Sequence, residues 1–408
     1  MLTKKIFATL LVVLFLFSNI CVLGTDAQYV WSPSIETSTK ITDTSTVDTK
    51  GNFLNLESPS GLLIEQNSGM VLYNHNMNEK LRPASVTKVM SILLIMEALD
   101  SGRIHLDDKV PCSQNAANMG GSQIWLDTKE ELTVDEMLKA ICVVSANDCT
   151  VAMAEFLAGS EDLFVEQMNK RATELGMKNT TFKNSHGIDE DGHLTTAYDI
   201  ALMSRELLKN HPDIKKYTTI WMDTLRDGKS ELVNTNKLIR NFSGATGLKT
   251  GSTSLALYNL SASATRNDLS LIAVILKSPS SSIRFDEAKK LLDYGFNSYE
   301  YKKFGNMGDV VESVTVGKGI EPMVNLVFET NAGYLIEKGQ EKNIIQDIQI
   351  EHSLSAPLQL GQKVGEIKFS LNGSELSKVN IVTQKEVKKI SGLNMIVHVY
   401  SSWFMLCR

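Results

Sequence analysis

Apolar positions change their spacing along the chain, and each change marks an element. Leu62-Leu63-Ile64 and Met70-Val71-Leu72-Tyr73 flank the turn-forming Asn67-Ser68-Gly69, which predicts a β-hairpin and the onset of order near Ser60. From Ser85 the spacing becomes three and four: Val89, Ile92, Leu93, Met96 and Leu99 predict a buried helix that stops at Ser101-Gly102. Thr133, with Glu136 three residues on, forms a capping box for a second helix through Met137, Leu138, Ile141 and Val144. A third is expected over about 149–157 before Gly159, and a fourth over 163–175 before Gly176. Strand texture returns at 257–262, turns at Arg266-Asn267-Asp268 and comes back at 269–276; a last helix is expected over 283–294, ending at Gly295. Strands that enclose helices predict one α/β (α+β) unit over residues 57–300, an antiparallel sheet flanked by helices.

Beyond residue 300 the apolar runs shorten to 310–316, 324–328, 344–350, 363–369 and 379–382, separated by Gly317, Gly319, Gly333, Gly361 and Asn372-Gly373. This predicts a small all-β sandwich over 301–384 that supports the first unit. Val387, Ile390, Leu393, Val397, Tyr400 and Phe404 then recur at helical spacing beside Lys385, Lys388 and Lys389. With Trp403 they predict a tail over 385–408 lying in a membrane interface; a helix packed on the second domain is the alternative. At the other end Lys4 and Lys5 precede the apolar run 6–17, short of the roughly 20 residues a bilayer span needs. It reads as a secretory signal over 1–27, with cleavage after Gly24 or Ala27 both fitting. Residues 28–56, dense in Ser and Thr, read as a linker.

Composition narrows the function classes. A chain of 408 residues with 43% hydrophobic and 22% charged residues is an ordinary globular protein with room for two domains. Its net charge of -6 provides no polycationic surface for a phosphate backbone, which excludes nucleic acid as a partner. Cys112, Cys142, Cys149 and Cys407 are too few for a disulfide scaffold. Cys142 and Cys149 read as small buried apolar residues, with a bridge between them left open. The seven histidines are scattered, His186 and His193 within a Gly/Asp-rich loop, so neither a metal nor an organic cofactor is expected.

The chemistry lies in three short segments. Ser85 and Lys88 sit one helical turn apart on one face, placing an amine beside a hydroxyl. A serine hydroxyl attacks poorly until a base takes its proton, and lysine serves as that base only when neutral. Burial and a second nearby cation lower a lysine pKa; Lys249, opening Lys249-Thr250-Gly251, is the candidate cation. Ser145-Ala146-Asn147 falls between two predicted helices and is preferred for that reason to Ser113-Gln114-Asn115. Such a trio in this order marks serine β-lactamases and penicillin-binding proteins.

On these residues the chain resembles the D-alanyl-D-alanine carboxypeptidases of the low-molecular-mass penicillin-binding protein family. The likeness covers about 57–385, through Pro83-Ala84-Ser85-Val86-Thr87-Lys88, Ser145-Ala146-Asn147-Asp148-Cys149, His186-Gly187-Ile188-Asp189, Gly247-Leu248-Lys249-Thr250-Gly251 and Ala288-Lys289-Lys290-Leu291-Leu292. It implies an active-site domain on a β-rich domain, with an anchoring tail, at the extracytoplasmic face of the cell membrane or wall. Ser85 would attack the D-Ala-D-Ala carbonyl of peptidoglycan stem peptides, and β-lactams would acylate the same serine. Ser145 would relay a proton to the leaving amine and Asn147 would hold the substrate amide. The backbone N–H groups of Ser85 and Ser252 would receive the oxyanion. Thr250 and Arg284 would dock the terminal carboxylate. His186 and Asp189 match the family and, among turn-forming neighbours, would hold a loop. One departure stands out: many relatives carry Asn-Arg-Asn where this chain has Asn234-Thr235-Asn236.

Three rivals share features with this reading. A class A β-lactamase needs a glutamate-bound water, and no convincing Glu-x-x-x-Asn loop element lies between Ser145 and Lys249. A D,D-endopeptidase shares all the chemistry. A non-catalytic wall-binding protein is expected to have lost the serine or a lysine, and this chain retains them.

Overall fold

The computed structural model of the chain describes residues 52–392. The signal expected over 1–27, most of the linker expected over 28–56 and the tail beyond 392 lie outside the described residues.

Five strands form the central sheet: β1 (Ser60–Glu65), β2 (Val71–His75), β3 (Ala245–Thr253), β4 (Leu257–Arg266) and β5 (Leu269–Ser278), in the order β2-β1-β5-β4-β3. Every neighbouring pair is antiparallel. Because alternate residues of a strand face opposite sides, the apolar runs of β1 and β5 serve two cores at once. Leu62, Ile64, Ile272, Val274 and Leu276 join the core of a helical lobe, while Leu63, Leu271, Ala273 and Ile275 join a second core on the other face.

The lobe contains α1 (Lys88–Asp100), α2 (Val134–Val143), α3 (Asn147–Ala158), α4 (Glu161–Glu174) and α5 (Ala197–Asn210); α6 (Ser281–Ser298) covers the opposite face. α1 is buried along nearly its whole length, as its all-round apolar sequence requires. The capping box at α2 is formed: Thr133 Oγ1 accepts from Glu136 N–H at 3.2 Å, and Glu136 Oε2 accepts from Thr133 N–H at 2.8 Å. α6 passes the expected stop at Gly295 and continues to Ser298. The glycine is there for packing, since a Cβ would stand 2.5 Å from Leu271 Cδ1 and 2.9 Å from Leu63 Cδ2. Cys112, Cys142 and Cys149 are buried free thiols, so the bridge left open between Cys142 and Cys149 is not formed.

The C-terminal part is all β. It comprises β6 (Tyr299–Gly305), β7 (Val310–Gly317), β8 (Met323–Phe328), β9 (Ala332–Glu337), β10 (Ile344–Ile350), β11 (Leu354–Ser355), β12 (Lys363–Leu371) and β13 (Ser374–Thr383). Six strands make one sheet in the order β10-β12-β13-β8-β7-β11, and β6 pairs with β9. Phe304 of β6 stacks on Phe369 of β12 with ring centroids 4.1 Å apart, packing the short ladder on the large sheet.

The helical stripe expected from residue 385 is corrected at its start. Val387 is buried and pairs in extended conformation with Leu358, and Ile390 N–H donates to Lys318 O at 2.8 Å. A lone valine facing a half-built apolar core is more stably placed there than on a helix, so this segment finishes the β domain. Among the described residues no helix is long and apolar enough to cross a membrane.

Candidate active site

Pro83 leads into a tight turn, Ala84–Thr87, that runs directly into α1. The turn lifts Ser85 to the end of the helix and leaves Lys88 fully buried below it. Lys88 Nζ has three neighbours: Ser85 Oγ at 3.0 Å, Asn147 Oδ1 at 2.6 Å and the His186 carbonyl at 2.7 Å. Asn147 Nδ2 donates to Gly120 O at 2.6 Å, which fixes the amide with its oxygen toward the amine. A neutral amine has two N–H donors and one lone pair. Asn147 Oδ1 and the His186 carbonyl can only accept, so they take both donors and turn the lone pair toward the Ser85 hydroxyl.

Electrostatics favour that neutral form. Burial, and then the charge of Lys249, hold Lys88 well below the ordinary lysine value of 10.5, with Asp148 opposing. Lys249 is lowered to about 7, chiefly by burial; Cys142 opposes the shift and Arg284 adds to it. Burial pushes the Cys142 thiol up to about 12, so at neutral pH it carries no charge to oppose with. The Lys249 cation thus weighs against a proton on Lys88, and a neutral Lys88 no longer repels its neighbour.

Strand β3 brings the second segment to the nucleophile. A Cβ on Gly251 would lie 2.8 Å from Ser85 N and 2.9 Å from the Pro83 carbonyl; only glycine lets the strand run so close. Lys249 Nζ donates to Thr250 O at 3.0 Å, and exposed Ser252 follows on the same strand. Ser145 joins α2 to α3 with φ +65°. Its buried Oγ has no hydrogen-bond partner among the described residues, a hydroxyl held ready for a ligand or a proton. Asp148, one residue after Asn147, accepts from Ile124 N–H at 3.0 Å and Leu126 N–H at 3.1 Å. It ties the loop that carries Gly120 to the start of α3.

Two expectations change in detail. Arg284, expected on the terminal carboxylate, is engaged within the protein: its Nη1 donates to Gly251 O at 3.2 Å and Asn259 O at 3.1 Å, and its Nη2 to Ser281 Oγ at 3.2 Å. The guanidinium is buried, lies 4.5 Å from the Phe285 ring centroid and is lowered by burial to about 10. It braces β3 from behind, where the main-chain carbonyls of two strands offered it acceptors. Asn147, expected on the substrate amide, has its oxygen on Lys88 and one N–H on Gly120, which leaves a single N–H for a substrate.

The His186 carbonyl is a functional group that side-chain reasoning misses, because a main-chain oxygen has no residue signature. Gly187, at φ +90°, is the nearest signal: a Cβ there would overlap the Ala84 carbonyl, so the loop must press against the nucleophile turn. The His186 ring itself is lowered to about 3 by burial, with Lys88 and His193 adding, and stays neutral. His193 Nδ1 accepts from Lys183 N–H at 3.3 Å, so Nε2 carries the proton toward Thr87 Oγ1 at 2.9 Å. His193 thus ties the loop to the turn, while the His186 ring accepts from Ile188 N–H within the loop at 3.2 Å.

A Glu-x-x-x-Asn match does occur at Glu206 and Asn210, but it ends α5. Arg171 joins Glu206 (2.6 Å) to Glu97 (2.7 Å), and Glu97 lies nine residues down α1 from Lys88, about 14 Å at the helical rise. That glutamate activates no water at Ser85. Glu97, Glu206 and His211 bring possible metal-ligand atoms within 4.8 Å of one another, yet Arg171 already pairs with both glutamates.

Comparison with known proteins places this geometry. The profile of the D-alanyl-D-alanine carboxypeptidase family matches residues 44–280, and that of the penicillin-binding protein 5 C-terminal domain matches 299–389. The D-alanyl-D-alanine carboxypeptidase DacF of Bacillus subtilis is 43% identical over 351 residues, 85% of this chain and 90% of that protein. Penicillin-binding protein 5 of Haemophilus influenzae superposes with a TM-score of 0.69 at 31% identity, covering 82% of this chain and 98% of its own. Penicillin-binding protein D2 of Listeria monocytogenes, in its ampicillin-bound form, gives a TM-score of 0.55 at 29% identity over 60% of this chain and 99% of its own.

Proposed function

Because the chain belongs to the serine-type D-alanyl-D-alanine carboxypeptidase family, we propose that Ser85, Lys88 and Lys249 carry that reaction here. The enzyme is a hydrolase that removes the terminal D-alanine of peptidoglycan stem peptides through an acyl-enzyme. Neutral Lys88 takes the Ser85 proton as Oγ attacks the carbonyl of the penultimate D-alanine. The oxyanion falls to the N–H groups of Ser85 and Ser252, each such donor being worth roughly 3 kcal/mol. Ser145 passes the proton to the departing amine, D-alanine leaves, and Lys88 then activates the water that splits the ester. Lys249 and the Thr250 hydroxyl hold the terminal carboxylate. β-Lactams acylate the same serine.

The 3.0 Å contact between the Lys88 amine and Ser85 Oγ, with the other two amine neighbours acceptors only, supports this reading above all. Incubated with a stem pentapeptide ending in D-Ala-D-Ala, the protein is expected to release one D-alanine per peptide, and to release no L-alanine from the same peptide ending in L-alanine. No D-alanine together with rapid penicillin hydrolysis would instead make it a β-lactamase.

The family acts on the cell wall. For this chain we assign export to residues 1–27 and membrane attachment to the tail; exposed Lys385, Lys388 and Lys389 lie where the chain leaves the β domain. Deleting 393–408 is expected to move the protein from the membrane pellet to the soluble fraction. Unchanged pelleting would remove the tail from the account.

A further inference from the structure

The segment before the Lys249 strand is built to hold one exposed hydroxyl still. Asn234 and Asn236 are buried on either side of exposed Thr235. Asn234 Nδ2 donates to Ile220 O at 2.7 Å while its Oδ1 accepts from Asn236 N–H at 2.8 Å. Asn236 Nδ2 donates to Gly247 O at 2.8 Å, and its Oδ1 accepts from Leu238 N–H at 3.1 Å. Thr235 N–H donates to Val143 O at 3.0 Å, at the end of α2 and two residues before Ser145. The backbone around Thr235 is thus tied to the strand that bears Lys249 and to the helix that precedes Ser145. From this frame Thr235 Oγ1 stands 2.7 Å from Thr250 Oγ1.

We infer that Thr235 is a positioning residue for anion recognition, holding the Thr250 hydroxyl in one rotamer so that the pair aims a single O–H at the substrate's terminal carboxylate. A hydroxyl has one proton and turns freely unless a partner fixes it. When two hydroxyls face each other, one donates to the other and one proton remains to point outward. That proton makes a charge-assisted hydrogen bond to a carboxylate, which is strong only when well aimed. Arg284 has its Nη1 on the carbonyls of Gly251 and Asn259 and its Nη2 on Ser281 Oγ. The inference rests on the reading that Thr250 receives the carboxylate.

The test compares acylation rate constants of the full chain with benzylpenicillin and with its methyl ester, which lacks the anion. Thr235→Val keeps the shape and removes the hydroxyl. It is expected to slow acylation by the acid about 5- to 10-fold, the worth of one well-placed hydrogen bond, to leave the ester rate within about twofold, and to leave the melting temperature unchanged. Thr235→Ser should restore the acid rate to within about twofold. A ratio of acid to ester rates that Thr235→Val leaves unaltered, or equal slowing of both without rescue by serine, would overturn the inference. Thr250→Val separates the two failures. If it collapses the ratio while Thr235→Val does not, only the positioning role fails; if it too leaves the ratio unaltered, the carboxylate reading of Thr250 fails with it.

Discussion

Alanine in place of Ser85 is expected to abolish both labelling by a fluorescent penicillin and release of D-alanine, a loss of about 10⁴-fold or more, as when the nucleophile of other serine hydrolases is removed. The side chain is half-buried, and its one described hydrogen bond is to Lys88. The fold should therefore lose less than about 1 kcal/mol. Thermal unfolding run beside the labelling assay checks this: a folded variant with undiminished label would move the nucleophile elsewhere.

Lys88→Met should cost about 10² to 10⁴ in the acylation rate, the range of a lost general base, while keeping the length of the side chain. Lys88→Arg is expected to be as inactive. A guanidinium stays charged at every accessible pH and cannot accept the serine proton. The contrast with a structural role lies in stability. Methionine fills the buried space but leaves Asn147 Oδ1 and the His186 carbonyl without a donor, at about 1 to 3 kcal/mol each. Arginine keeps donors and adds a buried charge. Stopped-flow acylation of both variants measures the catalytic loss, and an active Lys88→Arg protein would show that no neutral amine is needed.

Much of this molecule was legible in its residues because the informative patterns are local. The β1–β2 hairpin, α1 and the capped start of α2 each follow from spacing and turn chemistry within a dozen residues or so. α5 was not foreseen: buried Asp199, Ser204 and Arg205 interrupt its apolar face, and Arg205 is there to donate to the carbonyls of Gln66 and Asn67. The hairpin Met222–Leu225 with Ser230–Val233 also went unread, although Asp227-Gly228 marks its turn; strands so short carry little alternation. At the site, Ser85, Lys88, Ser145 and Lys249 could be named because side-chain chemistry identifies them. The aim of Arg284, the carbonyl of His186 and the partnership of Thr235 with Thr250 depend on which main chain or hydroxyl lies opposite, and that is set by the tertiary fold.

The central claim is that Lys88 is uncharged while Lys249 is charged at working pH, and the pH profile of penicillin acylation tests it most directly. A lysine whose pKa is depressed is neutral above that value, so the rate should rise along an acid limb far below 10.5. It should fall again as free Lys249 loses its proton near about 7, giving a bell whose maximum lies on the acid side of that value; bound carboxylate, by favouring the Lys249 cation, shifts the alkaline limb of the saturated rate upward. A rate that instead climbs steadily through pH 9 toward pH 10, as for a lysine of ordinary basicity, would contradict the account.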